Sequence, residues 1–220
     1  MIKVTINKDF RGLKKDTFYL FLPLATEFKE QTQFLVGSNG SGKTTLLSAI
    51  RGSFEIDNTS DSTSLFEYDF KKLAENVTIE HDYDKVFSYF SVEDDGGNMN
   101  NSFDACAFLM NGGYATQKIS HGEKQFHYIY TLWEKVKKYH EETPEHKLLI
   151  LLDEFDKGYS LKMQIMADNV IAKLNNIGCD VICSTHNYFL LKTSNFVYDM
   201  DTNSFEKTKT YFLKIGIAFM

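Results

Sequence analysis

The sequence predicts an α/β domain built around a mostly parallel core sheet, and three observations carry that prediction. "TQFLVG" (32–37) is a strand-like stretch that runs straight into a glycine-rich loop and then a helical pattern. "KLLILLDEFD" (147–156) is apolar along nearly all of a strand's length. "CDVICSTH" (179–186) repeats that character after an intervening amphipathic segment. Strands that are apolar on both faces and alternate with helices belong to parallel sheets covered on both sides.

The other elements follow in order. "IKVTI" (2–6) and "TFYLFL" (17–22) have strand composition, and the polar stretch between them contains Gly12, so the chain opens with antiparallel β strands. "KTTLLSAIRG" (43–52) shows the helical spacing of Leu46, Leu47 and Ile50, with Gly52 as the expected stop. Polar loops at 57–64 and 93–101 flank two strand-like stretches, 76–82 and 85–91. From Ser120 to about Tyr139, the residues Phe126, Ile129, Trp133 and Val136 form one helical stripe, and Pro144 marks the exit. "LKMQIMADNVIAKLNN" (161–176) reads as a helix closed by Gly178. Residues 195–213 alternate as a terminal hairpin does. The expectation is one domain over 1–220, with a small helical lobe inserted at about 92–140.

Composition excludes several classes. With 220 residues, 43% of them hydrophobic, the chain can bury a core without a disulfide or metal staple. Cys106, Cys179 and Cys183 include no CxxC pair. Cys179, Cys183 and His186 invite a metal reading, but their strand-like context favours core cysteine. Net charge is −6 and only Arg11 and Arg51 are arginine, so no broad cationic face is advertised. Lys135, Lys137 and Lys138 read as a solvated helix face. The apolar run Leu148 to Leu152 is far short of the ~20 residues that span a bilayer, and the start has no cleavable-signal pattern. A cytoplasmic protein without membrane insertion is expected, with the apolar tail 211–220 packing on the core.

"GSNGSGKTT" matches G-x-x-x-x-G-K-[ST] between a strand and a helix. Gly37, Ser38, Asn39, Gly40, Ser41, Gly42, Lys43, Thr44 and Thr45 are therefore the expected nucleotide-binding residues. Glycines let backbone amides wrap phosphate oxygens, and the helix start adds partial positive charge. Lys43 reaches the terminal phosphates and Thr44 offers a hydroxyl to Mg2+. Asp153, ending a buried strand, is the second metal-side group, and Glu154 beside it can polarise an attacking water. His186 ends the next strand.

In this order, the phosphate loop, "SHGE" (120–123), the acids at 153–154 and His186 resemble the ABC-type ATPase superfamily over nearly the whole chain. The start, "INKDFRGLKK", is similar to its RecF/SMC-like branch, which implies that Arg11 lies near the nucleotide. The span from Thr44 to Ser120 is too short for that branch's coiled coil, so the chain resembles a compact head domain. No glutamine lies between Gln33 and Gln117, so the family's Q-loop glutamine is missing or replaced, with Ser91 as one substitute. Ser160 stands where the family's D-loop often carries an acid.

Ser120 and Glu123 form a capping box, and Gly122 permits close approach to the helix start, which makes an outward-facing anion site. The resemblance implies that this site meets the γ-phosphate held by a second copy, in a head-to-tail homodimer assembled around ATP. The catalytic set is then Glu154, Lys43, His186 and Ser120, with Thr44 and Asp153 at Mg2+. The expected function is an ATP-hydrolysing engine for nucleic-acid processing or genome defence. DNA or RNA and an effector on a separate chain are its expected partners. The alternatives are a transporter's nucleotide-binding subunit and a slowly hydrolysing ATP-gated scaffold.

Overall fold

The computed structural model describes residues 1–21, 31–55, 75–90, 121–156 and 158–216. In chain order these form β1 (Ile2–Ile6), β2 (Phe18–Phe21), β3 (Thr32–Val36), α1 (Lys43–Glu55), β4 (Val77–His81), β5 (Lys85–Phe90), α2 (His121–Glu142), β6 (Leu148–Asp153), α3 (Leu161–Asn176), β7 (Asp180–Ser184), the single turn α4 (Tyr188–Leu191), β8 (Phe196–Asp199), β9 (Ser204–Lys207) and α5 (Thr208–Lys214). A six-stranded sheet runs β5-β6-β7-β3-β8-β9, and a three-stranded sheet runs β2-β1-β4. All pairings in the large sheet are parallel except β8 with β9, while the small sheet is antiparallel throughout.

The burial patterns explain this division. Every residue of β3 and β6 is buried, whereas β1 alternates between buried and half-buried positions. On β6, Leu149 and Leu151 join the core beneath α1 and the small sheet, while Leu148, Ile150 and Leu152 join the core beneath α2 and α3. Leu35 and Ile182 divide from Phe34 and Val181 in the same way. The large sheet is thus covered on both faces, as its continuous apolar runs require.

Three sequence expectations need correction. Helix α1 continues through Gly52 to Glu55, because Phe54 beyond the glycine is buried against the small sheet and stacks on His81 at 4.0 Å between ring centroids. That burial outweighs the glycine's helix cost of about 1 kcal/mol. The terminal hairpin is only β8 and β9, and residues 208–214 are helical. Thr208 and Phe212 are both buried, a spacing of four that alternation and a helix share. Helix α2 extends to Glu142, three residues past Tyr139.

Other expectations hold. Gly178, at φ +86°, closes α3 by donating its N–H to the Asn175 carbonyl at 2.8 Å. Lys135, Lys137 and Lys138 are exposed on α2. The apolar residues Ile129, Trp133 and Val136 pack into the same core as α3. The loops at 57–64 and 93–101 lie outside the described residues, as do Cys106, Gln117 and most of the proposed lobe. Among the described residues no helix is long and apolar enough to cross a membrane.

At the edge opposite the phosphate loop, Asp82 accepts from the Met1 ammonium and from Lys147 Nζ, each at 2.7 Å. Partial burial raises the carboxyl's pKa, but the hydrogen bonds and charges of Lys147 and the ammonium outweigh it and hold the group at about 2. A depressed folded pKa means that the stabilisation is present above the unfolded value of 3.8 and is lost as pH falls through about 2. Asp82→Asn should therefore lower the melting midpoint at neutral pH by roughly 1–2 °C, since the pair is exposed. The gap should close in a melting series taken down to about pH 2, and a gap of constant size refutes the assignment.

Candidate active site

Three adjacent strands deliver the predicted chemistry to one edge. The order β6-β7-β3 puts Ser184 of β7 in register with both Asp153 and Leu35. The acids after β6 and the loop after β3 therefore flank the end of β7. Ser184 Oγ donates to Asp153 Oδ1 at 2.5 Å, and Glu154 N donates to both Ser184 O and Ser184 Oγ at 3.1 Å. Ser184 is fully buried, and Asp153 is 2% exposed.

This bridge fixes the two acids differently. Burial raises the Asp153 pKa; hydrogen bonds from Ser184 and Thr44 oppose the rise, Glu154 adds to it and Lys43 opposes it. Glu154 sits at φ +44°, a left-handed conformation that costs a non-glycine residue about 1–2 kcal/mol. Its two N–H contacts to Ser184 hold it there. The side chain is 31% exposed and places Oε1 3.7 Å from Nε2 of His186, itself 50% exposed. The predicted pair thus stands together at the solvent edge, with Asp153 buried behind it.

The phosphate loop follows its glycines. Gly37, Gly40 and Gly42 all have positive φ, and at Gly42 a Cβ would lie 2.6 Å from a Leu13 methyl. Lys43 is buried, and its Nζ donates to Gly37 O at 2.9 Å, Ser38 O at 3.0 Å and Ser41 Oγ at 3.4 Å. Burial draws its pKa down, and the charges of Glu154, Asp201 and Asp153 oppose that. Asn39 is exposed at the turn of the loop, and Thr44 is exposed in the first turn of α1. The hydroxyl of Thr44, in the first turn of α1, and the carboxylate of Asp153, whose ionised form it favours, are hard oxygen donors that suit a cation such as Mg2+.

The backbone of the Arg11 turn lies against the loop. Thr45 Oγ1 donates to Arg11 O at 3.3 Å, and Arg11 itself has φ +40°. The tight turn Phe10–Leu13 is closed by paired backbone bonds between its end residues. It presses so closely on the loop that a Cβ on Gly12 would lie 2.3 Å from Gly40 O. Helix α2 starts at His121, with Gly122 in its first turn and Ser120 outside the described residues. Ser91, the substitute for the Q-loop glutamine, also lies outside them. Phe90, the residue before it, is in register with Asp153.

Several contributors were not singled out as functional in the sequence. Ser184 and Thr185 were visible only as small polar residues ending a buried strand. Asp156, buried just past Glu154, accepts from Thr185 Oγ1 at 2.7 Å, and Thr185 Oγ1 accepts from Asn187 N at 2.9 Å. Both flanks of His186 are thereby tied to the segment after β6. Burial raises the Asp156 pKa, opposed chiefly by hydrogen bonds from Thr185, its own backbone and Asn187. The core-cysteine reading holds for two of the three: Cys179 and Cys183 are buried and unpaired, and burial pushes the Cys179 thiol up to about 12.

The ABC transporter family model matches residues 26–155. Among similar solved structures is the dimeric, post-hydrolysis state of the ATP-binding cassette MJ0796 bound to ADP and Pi. It is 15% identical, the match covers 94% of this chain and 99% of that one, and the TM-score is 0.47. No curated protein matches the sequence.

Two substitutions test the geometry. Gly12→Ala adds a methyl against a backbone carbonyl at positive φ, so it should lower the melting midpoint by roughly 5 °C; an unchanged midpoint rules out the close approach. Asp153 has a folded pKa raised by burial, so its ionised form costs stability as pH rises through that value. Asp153→Asn should therefore raise the midpoint at neutral pH by roughly 2–4 °C. A fall instead means that the charged form of the Ser184 bond outweighs the burial cost.

Proposed function

The chain belongs to the ABC transporter family, and from that premise we propose that it binds and hydrolyses ATP at the edge where β3, β6 and β7 end. One observation carries this reading: the register through Ser184 sets the phosphate loop, Asp153 and the Glu154–His186 pair side by side. Backbone amides of residues 40–45 cradle the phosphates, and Lys43 leaves its loop carbonyls to meet the terminal ones. Thr44 and Asp153 hold Mg2+, which when bound neutralises phosphate charge.

Glu154 orients a water for in-line attack on the γ-phosphorus and receives its proton. The new P–O bond forms as the bond to the ADP oxygen breaks. His186, within 4 Å of Glu154, and Ser120 and Gly122 of a second copy offset the charge on the γ-phosphate's equatorial oxygens. Nucleotide then joins two copies head to tail, and loss of the γ-phosphate parts them.

Within the family, the turn bearing Arg11 against the phosphate loop supports the RecF/SMC-like branch. The corresponding work is nucleic-acid processing or genome defence, with DNA or RNA and an effector on a separate chain as partners. A second reading, the nucleotide-binding subunit of a transporter, is favoured by the matched family's description. The lack of glutamine between Gln33 and Gln117 and the signature "SHGE" count against it.

Lys43→Ala should abolish nucleotide binding, and Glu154→Gln should give an ATP-dependent dimer in light scattering; a variant that stays monomeric in saturating Mg·ATP sinks the paired mechanism. Turnover stimulated by DNA supports the nucleic-acid reading. Co-purification of the trapped form with a membrane protein supports the transporter reading, and flat, negligible turnover leaves an ATP-gated scaffold.

A further inference from the structure

The turn between β8 and β9 reaches the phosphate loop at Gly37 and Ser38. Asp201 accepts from Ser38 N and from Ser38 Oγ, each at 2.8 Å. Its neighbour Met200 donates its N–H to Val36 O at 2.9 Å, and the Met200 Cβ would lie 3.2 Å from a Cβ on Gly37. The turn is itself fixed. Asp201 N donates to Asp199 Oδ1 at 2.9 Å, and the buried Asp199 accepts from Lys214 Nζ of α5 at 2.5 Å.

A carboxylate beside a phosphate site is electrostatically adverse even at an exposed position such as Asp201, because like charges repel. Its presence calls for a compensating role, and the contacts supply one. Ser38 is held on two sides, by Asp201 at its N–H and hydroxyl and by Lys43 at its carbonyl. When Lys43 turns to a phosphate, the Ser38 carbonyl keeps only the Ser41 N–H within the loop at 3.2 Å, and Asp201 is the remaining side-chain anchor on Ser38 among the described contacts. We infer that Asp201 is a positioning residue for nucleotide binding, one that keeps the entry of the phosphate loop in place while Lys43 changes partners. Charge-assisted hydrogen bonds are the strong ones, so this anchor suits a loop that must stay preorganised without its lysine.

The inference rests on nucleotide binding at this loop, as proposed above. The test titrates Mg·mant-ATP into the full chain by fluorescence, for the wild type, Asp201→Ala, Asp201→Asn, Ser38→Ala and the Ser38→Ala/Asp201→Ala double variant. Asp201→Ala removes both bonds and should raise Kd about tenfold, and Asp201→Asn, which keeps one acceptor oxygen, about threefold. The double variant should bind no worse than Asp201→Ala within about twofold, because both changes act through one contact. In steady state, KM should rise in Asp201→Ala with kcat unchanged within about twofold. Equal Kd in wild type and the Asp201 variants, additive losses in the double variant, or a fall in kcat at constant KM each overturns the inference. If Asp201→Ala fails to fold, Asp201→Asn decides on the same scale. A wild type that binds no mant-ATP sinks the nucleotide reading itself.

Discussion

The two-sided burial of β6, β7 and β3 is the constraint on which the site depends. A strand covered on both faces can carry polar side chains only near its ends, where other polar groups can satisfy them. In β3 these are Thr32 and Gln33 at the start; in β7, Asp180 and Ser184 at the two ends; in β6, Asp153 alone at the finish. Parallel pairing then aligns the finishing ends. Ser184 and Asp153 meet because neither has water to turn to, and a hydrogen bond in so dry a setting is both stronger and harder to forgo.

The same cover distributes rigidity. One core ties α1 to the small antiparallel sheet, and the other ties α2 and α3 to the opposite face. The phosphate loop is clasped from two directions, by the Phe10–Leu13 turn and by the β8–β9 turn. Glu154 and His186 stand outside both cores, at intermediate to high exposure. Their geometry is set by backbone contacts of neighbouring residues, Ser184 for Glu154 and the Asp156–Thr185–Asn187 chain for His186. The exposed groups are placed by buried ones.

Much of this was legible in the sequence because the signals were local. The apolar runs at 148–152 and 181–183, the loop glycines and Gly178 each carry their structural reason within a few residues. Helix α1 overran Gly52 because the decisive contact, Phe54 on the small sheet, lies with residues distant in sequence. Residues 208–214 were misread because two buried positions four apart fit both periods. Asp201 was invisible for a related reason: an acid in a turn looks like any solvated turn residue until its partner Ser38 is known. Ser184 gave only a weak local sign, a hydroxyl at the end of an otherwise apolar strand.

The bond between Asp201 and Ser38 also sets an order of events. Its partners are 163 residues apart, one of the longest closures among the described hydrogen bonds, and contacts of such separation incur their loop-closure cost before they yield any return. On a ribosome the glycine-rich segment emerges well before Asp201. A nascent chain therefore carries the phosphate loop without this clasp until the turn between β8 and β9 has emerged. Completion of that hairpin is the step at which Ser38 acquires its carboxylate partner.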